Sequence, residues 1–139
     1  MLSMKSSVSK EVADAMIASQ TYRSNNACQK AELTFDFWRY AWMTKKVDLY
    51  LAQYAPDFAS ENMSHAAWKA LRAERINAPK GYIWIGAENK TWSNNAKQYQ
   101  VTFKQNYKSN LYQDTVIKTL VFEDIGGKCL ITKELVISS

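Results

Sequence analysis

SHAAWKALRAERINAPKGYIWIGAE, residues 64–88, changes its period partway along and so divides the chain in two. Its first half is helical. Ser64 is suited to an N-cap, where its hydroxyl accepts from an N–H that has no partner within the helix, and the pattern runs to about Arg75. Trp68 and Leu71 mark the apolar face, and Arg72 and Arg75 stand at offsets 4 and 7 from Trp68, so two guanidinium groups share a stripe with an aromatic ring. After Asn77-Ala78-Pro79-Lys80-Gly81 the period becomes two, and strands are expected at about 82–92, 97–109, 112–123 and 128–137. Asn94-Asn95 and Gly126-Gly127 read as hairpin turns.

Upstream of this stretch the period is that of a helix. Ala31, Thr34, Phe35, Trp38, Ala41 and Trp42 fall at offsets 0, 3, 4, 7, 10 and 11, with Lys30, Glu32, Asp36 and Arg39 on the other side. Val47, Tyr50, Leu51 and Tyr54 repeat the offsets 0, 3, 4 and 7 before Pro56 ends the run. Helices first and a strand meander afterwards make an α+β layout, with three helices packed on one side of an antiparallel sheet of about four strands. The expected core is Trp38, Trp42, Tyr50, Leu51, Trp68, Val101, Phe103, Leu120 and Ile131. Residues 1–25 mix serine, lysine and short apolar residues and read as an arm, frayed or loosely helical, ahead of a domain at 26–139.

Strand faces expose the polar exceptions. Tyr99, Val101, Phe103, Gln105 and Tyr107 share one face of the second strand, which runs from apolar to polar. In the third, Lys118 interrupts the series Val116, Leu120, Phe122, and Glu134 in the last strand is the carboxylate best placed to meet it.

Composition bounds the function. The 139 residues, 47% hydrophobic with only 4 Gly and 2 Pro, suit one globular domain. No run approaches the ~20 apolar residues of a membrane span, and residues 12–19 are too short and interrupted for the core of an export signal. The net charge of +5 is scattered, with Lys45-Lys46 the only adjacent basic pair, which reads as a solvated surface rather than a nucleic-acid site. Cys28 and Cys129 lie 101 positions apart outside any ligand-spaced cluster, which leaves a disulfide open and favours two separate buried thiols. With His65 the single histidine, no metal site and no cofactor is expected.

The spacing Trp38…Ala41-Trp42…Val47-Asp48…Tyr50…Tyr54…Asp57-Phe58, then Ser64…Trp68…Arg72…Arg75-Ile76, then Phe103…Gln105…Tyr107…Ser109…Tyr112…Asp114…Lys118…Leu120…Ile131…Glu134, carries a resemblance. It resembles the nuclear transport factor 2-like domain at the C-terminus of bacterial L,D-transpeptidase-related, cell-shape-determining envelope proteins, over about residues 35–136. Cys129 departs from the pattern, which usually has tryptophan there, and the transpeptidase motif with its histidine and cysteine is absent from this chain. The resemblance implies a cone in which three helices close over a curved sheet and leave a pocket. It also implies a link to the envelope: the periplasm for a piece of an exported protein, the cytoplasm otherwise.

Fold alone settles no activity. Arg72, Gln105, Tyr107, Lys118 and Glu134 can surround a cavity walled by Tyr54, Phe58 and Trp68, with Arg72 held by Gln105 or Tyr107 and still able to fork onto an anion. The competing reading is an internal network of Arg72, Lys118 and Glu134 that satisfies itself. Neither supplies a catalytic residue. His65 is expected exposed at a helix start, Asp57 in a turn, and Glu134 paired. The expectation is therefore a non-catalytic accessory domain that binds a small, anionic ligand or an envelope protein. A small isomerase or dehydratase using a pocket carboxylate is the alternative. Tyr82 and Trp84 on the outer sheet face suit a homodimer through the sheet.

Overall fold

A computed structural model describes residues 26–138. A 3-10 turn, Asn26–Lys30, leads into α1, Ala31–Met43, whose buried residues are Ala31, Thr34, Phe35, Trp38, Ala41 and Trp42, the stripe its spacing predicts. Helix α2 is Val47–Ala52 and α3 is His65–Asn77. Ser64 caps α3, its hydroxyl accepting from the Ala67 N–H at 3.1 Å.

Four strands follow: β1, Trp84–Asn94; β2, Tyr99–Lys108; β3, Gln113–Ile125; and β4, Lys128–Ser138. They pair antiparallel in the order β1-β2-β3-β4, the expected meander. Gly126 and Gly127, at φ 61° and 88°, supply the left-handed pair that a tight hairpin between β3 and β4 requires. Asn95 closes the β1–β2 turn by accepting from the Lys97 and Gln98 N–H groups, both at 2.9 Å.

Two register shifts bend the sheet and re-aim side chains. In β1 the shift between Glu88 and Thr91 lets Trp92 pack on Phe35 and Phe122 although Ile85 and Ala87 already face inward. In β4, Val121 pairs with Lys133 and Phe122 with Ile131, so Thr132 is the extra residue. Ile131 and Glu134, three apart, therefore both face the helices, where strict alternation would send one outward. The stretch after α2 covers this edge of β4: Ala55 N–H donates to the Ile131 carbonyl and Ile131 N–H to the Gln53 carbonyl, each at 2.8 Å.

The core is aromatic and lies between α1, α2, α3 and the inner sheet face. Trp38, Trp42, Tyr50, Trp68, Val101, Phe103, Leu120 and Ile131 are buried as expected, and Phe35 meets Phe103 edge-on at 5.0 Å. Leu51 is corrected: it is half-buried on the flank of α2, where it lines a surface groove. This is the helix-capped, curved-sheet cone that the resemblance implies. The expected arm, residues 1–25, lies outside the described residues.

The cysteines require a correction too. Cys28 and Cys129 are not separate thiols but a disulfide, with Cα atoms 4.8 Å apart. The 3-10 turn lies along the β3–β4 hairpin, where Ala27 N–H donates to Asp124 Oδ2 at 3.2 Å and Thr34 Oγ1 to the Cys129 carbonyl at 3.1 Å. That docking joins positions 101 apart in sequence, which spacing alone could not reveal. Replacing both cysteines with serine is expected to cost about 2–5 kcal/mol of stability, read as a lower urea midpoint, and reductant should reproduce the loss in the wild type only.

Candidate functional site

A polar cluster is set into this apolar core. Glu134 enters from β4 and Lys118 from β3, with Lys118 Nζ 2.7 Å from Glu134 Oε2, the partner expected for it. Tyr54, beyond the end of α2, donates its hydroxyl proton to Glu134 Oε1 at 2.7 Å. Because that proton is committed, the Tyr54 oxygen accepts from Trp38 Nε1 at 2.9 Å and from the Tyr50 hydroxyl at 3.0 Å. Tyr50 in turn accepts from Arg72 Nε at 3.1 Å. The hydrogen bonds thus run one way, from Arg72 through two tyrosines to Glu134, and the carboxylate is met from the other side by Lys118.

Aromatic faces complete the setting. The Trp42 ring lies 5.0 Å from Arg72 Cζ and 5.0 Å from Lys118 Nζ, so one π system serves both cations. Tyr54, Phe58 and Trp68 form a triangle with centroids 4.6–4.7 Å apart. Tyr107 packs on Trp42 and stacks with Tyr112.

Electrostatics follow from this geometry. Burial pushes the Glu134 carboxyl up, but the Lys118 ammonium, the bonds from Lys118 and Tyr54, and the Arg72 charge outweigh it and hold it below the usual carboxylate range. Burial raises the Tyr54 hydroxyl well above its ordinary value, reinforced by Glu134 and Tyr50; Tyr50 is raised chiefly by burial as well. Burial also opposes the charge on Arg72, yet the two tyrosines and Glu134 more than compensate and keep the guanidinium protonated. Two cations against one carboxylate leave the cluster one positive charge in surplus.

Of the eight candidate residues, Tyr54, Phe58, Trp68, Lys118 and Glu134 are joined by direct contacts, Arg72 and Tyr107 reach them through Tyr50 and Trp42, and Gln105 stands apart on β2. Arg72 is held by Tyr50 on the facing helix, not by Gln105 or Tyr107. Its two terminal amino groups make no hydrogen bond among the described residues. Gln105, only 4% exposed on the inner face of β2, has its Oε1 without a partner among them. Tyr50, Trp38 and Trp42, core residues by their spacing, also serve the network. The signal available in the sequence was their chemistry, since a buried tyrosine hydroxyl or indole N–H needs a partner. Asp57 lies exposed in a turn, as expected. His65 does not lie free at its helix start: it is half-buried, with Nδ1 on the Phe58 carbonyl and its ring 5.9 Å from Trp68. Among the described residues no group of His, Cys, Asp and Glu could hold a metal ion.

Residues 30–135 match the family model of the Cds6 C-terminal NTF2-like domain. No curated protein matches the chain in sequence. Among solved structures, Bd1075 of Bdellovibrio bacteriovorus superposes with a TM-score of 0.72 at 20% identity, over 80% of this chain and 40% of that one. An NTF2-like protein of unknown function from Pseudomonas putida gives 0.69 at 12%, over 80% and 85%. The helical cell shape determining protein Pgp2 from Campylobacter jejuni gives 0.59 at 19%, over 73% and 38%. At these identities the likeness is one of fold. This chain spans about two-fifths of the Bd1075 and Pgp2 chains.

Removing one member of the buried pair strands the other. Lys118→Ala is expected to cost about 3–5 kcal/mol, while Lys118→Met with Glu134→Leu should recover much of it, in a double-mutant cycle by urea unfolding. Since the Glu134 pKa is depressed on folding, its contribution to stability is complete above the unfolded value of about 4.3 and is lost as pH falls through the folded value. Wild-type stability should therefore fall on acidification more steeply than that of the double variant.

Proposed function

The chain belongs to the family of Cds6 C-terminal NTF2-like domains, and on that premise we propose that it is a non-catalytic binding module of the bacterial cell envelope that takes a small anionic ligand at Arg72. The observation that carries this reading is the state of the polar cluster. Its carboxylate is engaged on both oxygens and held ionised, whereas its surplus positive charge sits on a guanidinium with unengaged donors. Such a fork suits a carboxylate or phosphate. Trp42, whose ring face lies 5.0 Å from Arg72 Cζ, and Tyr107 packed on it supply the aromatic side of that position.

The isomerase or dehydratase alternative needs a carboxylate poised to take a proton. Glu134 is a poor base while Lys118 and Tyr54 hold it, and Asp57 stands in an exposed turn. Two observations support the envelope. A disulfide spanning 101 positions persists best in an oxidising compartment, and the fold is shared with Pgp2, a cell shape determining protein. Peptidoglycan stem peptides end in carboxylates and are the natural ligand class there.

Titration calorimetry with a soluble disaccharide-peptide muropeptide tests the proposal. Arg72→Ala should weaken binding by about 1.5–3 kcal/mol, roughly 10- to 150-fold, with a small loss of stability because its direct partner is a neutral tyrosine. Unchanged affinity in the folded variant would overturn the reading. Turnover of a carbonyl substrate that disappears in Glu134→Gln would replace it with the enzymatic one.

A further inference from the structure

Away from the cone, two grooves meet on the outside of the molecule. One, of about 580 Å³, runs between the N-terminal part of α1 and the β3–β4 hairpin; the other, of about 720 Å³, runs between α2, the start of α3 and the same hairpin. Ala52, Lys128 and Leu130 line both, so the grooves join into one furrow at the hairpin.

The furrow pairs apolar surface with unneutralised positive charge. Leu33 and Phe37, one turn apart on α1, are about half exposed, and Ile125 at the hairpin is 38% exposed. They form a second apolar stripe on α1, apart from the one that the core uses. Lys30, Lys69 and Lys128 border the furrow, and among the described residues none of them forms a salt bridge and Asp48 is the one carboxylate in the lining. His65 also lines the furrow, held by the Phe58 carbonyl. A carbonyl can only accept, so the contact with Phe58 places a proton on His65 Nδ1.

We propose that this furrow is a docking site for an extended, acidic segment of a partner protein, with apolar side chains seated on Leu33, Phe37 and Ile125 and carboxylates facing Lys30, Lys69 and Lys128. The concave, two-lobed shape favours a chain over a flat lipid surface, and three lysines against one aspartate among the described lining residues set the charge of the occupant. The furrow borders the polar cluster without opening on its charges: Tyr54 and Trp68 line the second groove, whereas Arg72, Gln105, Lys118 and Glu134 line neither.

The probe is a fluorescein-labelled decapeptide of alternating glutamate and leucine, followed by anisotropy at low salt, with the lysine–leucine decapeptide as control. The acidic peptide should bind, shift the amide NMR signals of Ala52, Lys128 and Leu130, and lose at least tenfold in affinity in the Lys69→Glu, Lys128→Glu double variant. Because both lysines are exposed, the variant should melt as the wild type does. Absence of binding, equal binding of the basic peptide, or binding unchanged by the double variant would overturn the proposal. So would phosphatidylglycerol vesicles or heparin shifting the same amides while the peptide does not, which would assign the furrow to a lipid surface or a polyanionic glycan. Phe37→Ala with the lysines intact should also weaken the peptide, and an unchanged affinity there would overturn the apolar half of the claim.

Discussion

A carboxylate inside an aromatic core has to be neutralised, and much of this domain is arranged around doing so for Glu134. Desolvating an isolated charge costs several kcal/mol even after relaxation, so the ion persists only if both oxygens find donors. Lys118 supplies one and Tyr54 the other. Each donor then carries its own requirement. Lys118 is 4% exposed as a residue and leans on the faces of Trp38 and Trp42, and Tyr54 fixes the orientations of Tyr50 and the Trp38 indole. One carboxylate thereby ties β3, β4, α1 and the α2 segment to a single geometry.

The backbone device behind this is modest. Thr132 is one residue too many for the β3–β4 ladder, and that surplus turns Glu134 to the same side as Ile131. Without it, burying Ile131 would direct Glu134 to the outer face, and Lys118 would lose its counter-ion. The same bulge, with the register shift in β1, contributes to the bending of the sheet, so charge pairing and part of the curvature come from one extra residue.

Placing the cluster on rigid elements separates its two ends. At the Glu134 end every group is engaged, which suits a structural role. At the Arg72 end the guanidinium touches a neutral hydroxyl and two ring faces, which leaves donors in excess. The two readings that the residue types permitted, an internal network and a ligand site, thus describe opposite ends of one chain of hydrogen bonds: the network is observed, and the ligand is the proposal built on its unengaged end.

Periodicity carried the architecture. The offsets of Ala31 through Trp42, the serine cap at position 64 and the switch to period two after Gly81 specified the helices, the strands and their order, because these are local consequences of 3.6- and 2-residue repeats. Alternation along β2 and β3 also marked Gln105 and Lys118 as inward polar residues. Three features lay beyond such reading. The Cys28–Cys129 bridge depends on where the N-terminal turn docks, and sequence distance does not encode that docking. Tyr50 holds Arg72 because α2 faces α3, a relation between helices that neither helix contains alone. The unneutralised lysines and exposed α1 stripe of the outer furrow come together only when the β3–β4 hairpin reaches the helices. Local repeats fix elements, whereas pairings between distant side chains are set by how those elements pack.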